Sequence, residues 1–282
     1  MRVTVYTPTK NRVDALAKAV DSVLNQTHQD VEHIVVSDGS TDGTEEYLKM
    51  RSRQDARLRF FIKPISEGAP AARNLAIKNS TGDFVTGLDD DDEFLSERIQ
   101  AFVEYWALLK SLNINPSCLY SQDIITSYGK KISSSQKKGM VTADDLFEFN
   151  YIGNQVFTPK AHFIEAGLFD ERLPAWQDLE MYMRILRKFG TAHLLDIATQ
   201  LYDETPKADR ISVKAESRIR FACAHVSEKH AASSGRHAQQ LMFQMFSKYY
   251  GVRPGVKDWV SFNKLGLWPK GLLKLALRTV KP

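Results

Sequence analysis

Apolar and polar positions alternate in two rhythms along the first ninety residues. Short apolar runs at 3–7, 31–37, 58–62 and 84–88 have strand length, and the unbroken Ile34-Val35-Val36 implies a strand buried on both faces. Between them, 13–25, 41–52 and 70–78 carry helical spacing. In the first of these, Leu16, Ala19, Val20, Val23 and Leu24 share one face. This succession predicts an α/β protein whose mainly parallel sheet is flanked by helices, with ligands bound at the carboxyl ends of the strands. Pro8, Asp38 and Asp89 each fall at such an end, so distant residues are expected to converge on one crevice.

Farther along, 97–109 has helical spacing, and 119–127 with Ile132 flank Gly129-Lys130-Lys131 as a hairpin. The polar stretch 133–138 is expected to be a mobile loop. Within 158–196, residues 178–189 form an amphipathic helix whose stripe (Leu179, Tyr182, Met183, Ile185, Leu186, Phe189) is core packing. Residues 215–250 look largely helical, and no internal repeat occurs.

Composition narrows the class. With 282 residues, 43% hydrophobic and 26% charged, the chain fits a soluble globular protein, either one large α/β domain or one domain plus an appendage. It runs from Met1 into a strand without a signal peptide, and no apolar stretch reaches the roughly 18 residues of a spanning helix. Cys118 and Cys223 are too few for a disulfide framework or a zinc site, so a reducing cytoplasm is expected. Residues 252–282 carry seven basic side chains against the single acid Asp258, although the whole chain sums to only +4. The positive charge is therefore concentrated in the tail, and no nucleic-acid partner is expected.

The run Leu88-Asp89-Asp90-Asp91-Asp92 places four carboxylates where a buried strand ends. Two such charges about 5 Å apart repel by about 3 kcal/mol at an effective dielectric of about 20. A fold keeps this cluster on a solvated turn or sets a divalent cation among its hard oxygens; Mg²⁺ or Mn²⁺ would in turn favour a phosphate-bearing substrate. Two other strand ends, Thr7-Pro8-Thr9-Lys10-Asn11-Arg12 and Ser37-Asp38-Gly39-Ser40-Thr41-Asp42-Gly43-Thr44, are each ordinary turn chemistry alone. A carboxylate at such a place accepts hydrogen bonds from a base edge or a ribose. The segment Glu67-Gly68-Ala69-Pro70-Ala71-Ala72-Arg73-Asn74 opens a helix, from which Arg73 reaches either a phosphate or the acidic run.

Together and in this order, these segments resemble family 2 glycosyltransferases, the inverting enzymes of the GT-A fold that use nucleotide sugars. The match continues through Gly82-Asp83-Phe84-Val85 into the acidic run, then Phe169-Asp170-Glu171 and Trp176-Gln177-Asp178-Leu179-Glu180. It spans roughly residues 2–205 and leaves 215–282 outside. The resemblance implies a GT-A catalytic domain over 1–214, with nucleotide binding in 1–92, acceptor binding in 93–214, and a helical, basic extension over 215–282. It also implies that Asp38 binds the nucleobase, usually uracil, with Thr7, Pro8 and Arg12 lining the pocket. Asn11, Ser40, Gly68, Arg73 and Asp90 belong to the same nucleotide-sugar side. Asp91 would hold Mn²⁺ or Mg²⁺, and Asp89 would contact the ribose or the metal shell. Asp178 matches the general base; the family usually shows Glu-Asp where this chain has Gln177-Asp178. Trp176, Gln177 and Glu180 fall on the acceptor side, and Arg210 lies where the family often has a loop over the diphosphate. Bacterial surface polysaccharide assembly (O-antigen or capsule) on a lipid-linked saccharide is the implied setting, compatible with a homo-oligomer.

The chemistry agrees without the family name. Displacing a nucleoside diphosphate builds charge on the leaving phosphate, and an acceptor hydroxyl needs a carboxylate to take its proton. Asp178 heads a helix, where a carboxylate also simply favours the dipole, and Glu180 is the backup base. Trp176 is either a platform for an acceptor sugar or core. A sugar nucleotidyltransferase would want glycines in 7–12, and the chain has neither G-x-G-x-x-G after a strand nor G-x-x-x-x-G-K-[ST]. A non-catalytic nucleotide-sugar or carbohydrate-binding protein remains the other reading. His225 and His230, five apart, lack ligand spacing and are expected on the surface. In the tail, Lys270, Lys274 and Arg278 recur every fourth residue beside Leu272, Leu273, Leu275, Ala276, Leu277 and Val280, with Trp259, Phe262, Leu265, Leu267 and Trp268 just before. Such a helix suits an anionic membrane surface, or else packs on protein.

Overall fold

A computed structural model describes residues 1–205 and 216–280. Its first half follows the predicted alternation: β1 (Val3–Thr9), α1 (Val13–Leu24), β2 (Val31–Asp38), α2 (Thr44–Gln54), β3 (Leu58–Lys63), α3 (Ala69–Asn79) and β4 (Phe84–Gly87). There follow β5 (Glu93–Phe94), α4 (Arg98–Ser111), β6 (Cys118–Ser127), β7 (Lys130–Ser134), β8 (Met140–Val141), α5 (Asp145–Glu148), β9 (Phe157–Pro159) and α6 (Lys160–Glu165). The chain continues through α7 (Gln177–Phe189) and β10 (Ala192–Asp203) to the helices α8 (Glu216–Ala231), α9 (Gly235–Met245), α10 (Val256–Lys264) and α11 (Pro269–Val280).

The strands order as β3-β2-β1-β4-β9-β6-β10-β5, with β7 beside β6 and β8 beside β10. β3, β2, β1 and β4 are parallel, as are β6 and β10; β9 runs against both of its neighbours. The tips of β1, β2, β4, β6 and β10 consequently share one edge. Alternation along each strand splits the core between the two faces. Val3 and Val5 of β1 pack with α1 and α4, whereas Tyr6 joins Ile34, Val36 and the buried residues of α3 and α7. α2 closes a third cluster with α1, in which Leu48 meets Leu16, Val35 and Leu58.

Two features depart from the sequence-based expectation, and a third, the packing of the tail, takes one of its two alternatives. The stretch 133–138 is tied down rather than loose: Ser133 and Ser134 extend β7, Ser135 bonds with Gln122 and Asp123, and Lys137 pairs with Asp123 at 2.7 Å. The C-terminal helices share the main core, since Ile219, Val226, Leu241, Met245, Phe262 and Leu275 lie in one buried cluster with α3 and α7. The tail thus packs one face on the protein; its other face, with Leu273 65% and Leu277 55% exposed, stays open. His230, expected on the surface, is only 8% exposed.

Candidate active site

The site grows from the strand tips. β4 is short because the acidic run turns away at its end, with the Asp92 amide donating to the Asp89 carbonyl at 3.1 Å. Each carboxylate of the run has its own anchors. Asp90 accepts from Thr9 Oγ1 (2.7 Å) and Arg12 (3.1 Å), and the same Arg12 nitrogen lies 3.2 Å from Asp91. Asp92 sits deepest, accepting from Asn154, Gln200 Nε2 and the Asp203 amide. Asp89 accepts from Asn154 Nδ2 (3.0 Å) on one oxygen and from Arg73 (2.9 Å) on the other. Burial raises Asp90 to about 6 although Arg12 opposes it, and burial pushes Asp92 well above the carboxylate range. The hydrogen bonds and the Arg12 and Arg73 guanidinium groups thus offset the repulsion within the run.

Arg73 is the hub. It is 5% exposed, lies over the Phe169 ring and reaches Asp89, Gln177 Oε1 (2.9 Å) and Asp178 (3.4 Å). Of the two destinations weighed for it, the structure shows the acidic run, together with the turn of Asp178. Burial works against this guanidinium, yet Asp178 and Asp89 raise its pKa above the ordinary arginine value. Next to it, Asn74 holds the backbone of Phe169 through both amide atoms and donates to Glu171, which brings two distant sequence segments together. Asp178 keeps 24% of its side chain exposed. Burial lifts its pKa to about 6, with Arg73 pulling down and Asp89 pushing up.

At the tip of β2, Asp38 is 4% exposed and saturated: it accepts from Ser66 Oγ (2.6 Å), the Glu67 amide (3.0 Å) and the Gly68 amide (2.8 Å), and pairs with Lys63 at 2.9 Å. Gly39 makes this possible. At φ +71, a Cβ there would sit 2.9 Å from the Ser66 nitrogen. Asn11 stitches the first two loops, donating from its amide to Ser40 Oγ and accepting from the Thr41 amide. Thr7 is fully buried, its hydroxyl 3.0 Å from His33, so its side chain belongs to the core rather than to a ligand-facing surface; Pro8 is half-buried. Arg210 lies outside the described residues.

Of the residues expected toward an acceptor, Trp176 is 7% exposed and belongs to the core, while Gln177 donates to the Leu173 carbonyl. Glu180 has no exposed surface. Its carboxylate is committed to Arg184, Lys229 (2.8 Å) and His230 (2.9 Å). Burial opposes ionisation there, but the hydrogen bonds from His230, Arg184 and Lys229 hold it down at about 2. Such a group is too weakly basic and too enclosed for the backup-base role. Sequence reasoning missed Asn154, Gln200, Lys229 and His230; only the i,i+4 spacing of Glu180 and Arg184 hinted at this network.

The four carboxylates of the acidic run and two guanidinium groups, Arg12 and Arg73, thus gather at the tips of β1 and β4, with Asp178 on the other side of Arg73. The doubly flanked sheet is that of GT-A-type transferases. The chain belongs to glycosyl transferase family 2, whose family model matches residues 4–169. A putative colanic acid biosynthesis glycosyl transferase, WcaA of Escherichia coli K12, is 32% identical over 203 residues, 71% of each chain. The GalNAc(5)-diNAcBac-PP-undecaprenol beta-1,3-glucosyltransferase of Campylobacter jejuni is 35% identical over 104 residues, covering 36% of this chain and 34% of that one. Among solved structures, S. aureus TarS 1–349 in complex with UDP-GlcNAc superposes with a TM-score of 0.68 at 17% identity, over 99% of this chain and 82% of its own. A Pyrobaculum calidifontis mannosyltransferase with GDP-Man and Mn²⁺ gives 0.56 at 14% identity, over 98% and 84%. At these identities the two structures establish the fold.

Proposed function

We propose that this glycosyltransferase moves a hexose or N-acetylhexosamine from a UDP-sugar to a lipid-linked saccharide, inverting the anomeric centre, in bacterial surface polysaccharide synthesis. One observation carries the reading. Arg73 joins the acidic run to the turn of Asp178, so the donor-side carboxylates and a half-open base face one another across a single guanidinium. The names of the relatives and the UDP-GlcNAc bound to TarS support the polysaccharide setting and the donor.

Asp178 takes the acceptor hydroxyl proton as the hydroxyl attacks; at about 6, its pKa leaves it ionised at neutral pH yet still basic. Arg73 orients that carboxylate and offsets the charge of Asp89. Gln177, neutral where the family usually has Glu, satisfies Arg73 without adding a third carboxylate. A nucleobase N–H would reach Asp38 by exchanging with one of its present donors, Ser66 Oγ, the Glu67 or Gly68 amide, or Lys63. Among the described residues no group of three or more His, Cys, Asp or Glu is placed to hold a metal ion. Sites for Mg²⁺ commonly use only one or two carboxylates with substrate phosphates, and Asp89 and Asp91 supply such oxygens. Mn²⁺ or Mg²⁺ held there would stabilise charge building on the leaving diphosphate.

The described residues contain no helix long and apolar enough to cross a membrane. The outward face of α11 instead pairs Leu273 and Leu277 with exposed Lys270 and Lys274, and Leu267 before it is 82% exposed. This pattern supports attachment to an anionic cytoplasmic leaflet, each lysine adding about 1 kcal/mol near such lipid. Calorimetric titration with UDP, GDP and dTDP, with and without Mn²⁺, tests the donor assignment. Metal-dependent binding selective for UDP is expected; binding of none would leave a non-catalytic carbohydrate-binding protein.

A further inference from the structure

We infer that the C-terminal helices clamp the turn of α7 that carries Asp178, which makes residues beyond the family match part of the apparatus that aims the base. The inference rests on Asp178 as base and deepens that reading.

The clamp has two jaws. Trp176, just before α7, sits at φ 62, ψ 20, a left-handed conformation that a bulky side chain keeps only when its surroundings impose it. Its ring is covered by Tyr250, beyond α9, at 6.3 Å between centroids. The second jaw grips Glu180. Successive helical residues turn by about 100°, so Glu180 points away from Asp178, toward α8. There His230 Nε2 lies 2.9 Å from the Glu180 carboxylate and Lys229 2.8 Å.

The ring orientation of His230 follows from a third contact. Arg187, seven residues after Glu180 on α7, donates to His230 Nδ1 (2.8 Å) and to its carbonyl (2.9 Å). A guanidinium only donates, so Nδ1 is the acceptor and the proton of the neutral ring sits on Nε2, facing Glu180. One side chain of α8 is therefore held by two points of α7 two turns apart, and the helix cannot rotate about its axis without breaking both. With the far face fixed, Asp178 on the near face is aimed at the crevice. These are positioning residues: His230, Lys229 and Tyr250 act through Glu180 and Trp176.

The test compares His230→Ala, His230→Gln and Tyr250→Ala with the parent in the full chain. The readouts are UDP release from the UDP-hexose the parent turns over fastest, UDP affinity by calorimetry, and amide exchange over 176–181. A base displaced by about 1 Å costs about 100-fold, so His230→Ala and Tyr250→Ala should lose about 10- to 100-fold in kcat. Donor KM and UDP affinity should stay within about twofold, and exchange should quicken in that turn alone. His230→Gln, whose amide can both donate to Glu180 and accept from Arg187, should recover most of the rate. Unchanged kcat in both alanine variants, or unchanged exchange, overturns the clamp. Exchange needs no substrate, so a parent without UDP-sugar turnover counts against the proposed function while the clamp is still judged. If His230→Ala fails to fold, Tyr250→Ala and His230→Gln decide.

Discussion

Replacing Arg73 with Met should move the acid limb of the pH–rate profile upward. Asp178 lies 3.4 Å from the guanidinium, and burial already sets its pKa at about 6 with Arg73 opposing that rise. An opposite charge at this range lowers a carboxylate by about 1–3 units; because the Asp178 side chain is 24% exposed, the lower part of that range applies. Without Arg73 the charged form loses its partner while Asp89 still repels it, so the midpoint should rise by about 1–2 units. The base works only when ionised. Variant activity relative to the parent should therefore be about tenfold lower at pH 6.5, lower still at more acid pH, and recover by pH 8.5. UDP release across that range measures it, with Arg73→Lys as the control: the charge is kept and the midpoint should stay close to the parent's, although the forked geometry is lost. Because the pair is largely buried, removing one partner can cost about 3–5 kcal/mol, so both variants should be assayed below their melting temperatures. A ratio of variant to parent that is flat in pH would refute the coupling of Arg73 to the base.

Three further outcomes follow from the same geometry. Asp178→Asn should abolish transfer yet stabilise the fold by about 1–2 kcal/mol at pH 8, because a raised pKa penalises the folded state as pH climbs from the ordinary carboxylate value through about 6. The gain should vanish by pH 4, and calorimetry showing a lower melting temperature at pH 8 would count against it. Asn154→Ala strips one amide from both Asp89 and Asp92 and should weaken the Mn²⁺-dependent part of UDP binding about tenfold, leaving metal-free binding unchanged. Leu273→Asp with Leu277→Asp should abolish cosedimentation with anionic vesicles. Equal binding to neutral vesicles would remove the electrostatic part. Deleting 257–282 is a poorer test, since Phe262 and Leu275 are fully buried and their loss uncovers the core.

The nucleotide-side elements were legible because their signals are local. Strand tips coincide with the ends of apolar runs, so Asp38 and the acidic run could be placed on one edge before any coordinate was known. The helix headed by Asp178 was legible in the same way, through the apolar stripe that follows it. What Arg73 does was not. Phosphate and carboxylate offer a guanidinium the same bidentate chemistry, and only packing on Phe169 and Gln177 directs it toward Asp89 and Asp178. Lys137 and His230 were misplaced for a related reason. A polar stretch and an isolated histidine look solvated until a buried partner, Asp123 in one case and Glu180 in the other, makes burial favourable.

By itself, then, the sequence determined the order of strands and helices over the first ninety residues and the edge on which the acidic run and Asp38 gather, because periodicity and turn chemistry act over a few residues. The short elements β5, β8, α5, β9 and α6 and the strand β10 carried no such local signal. Tertiary structure alone decided which charges meet, how far Asp178 is lifted from the ordinary carboxylate range, and that the C-terminal helices share the core behind α7. Those outcomes depend on burial and on partners tens to hundreds of residues away, where the balance of desolvation against ion pairing is set by packing.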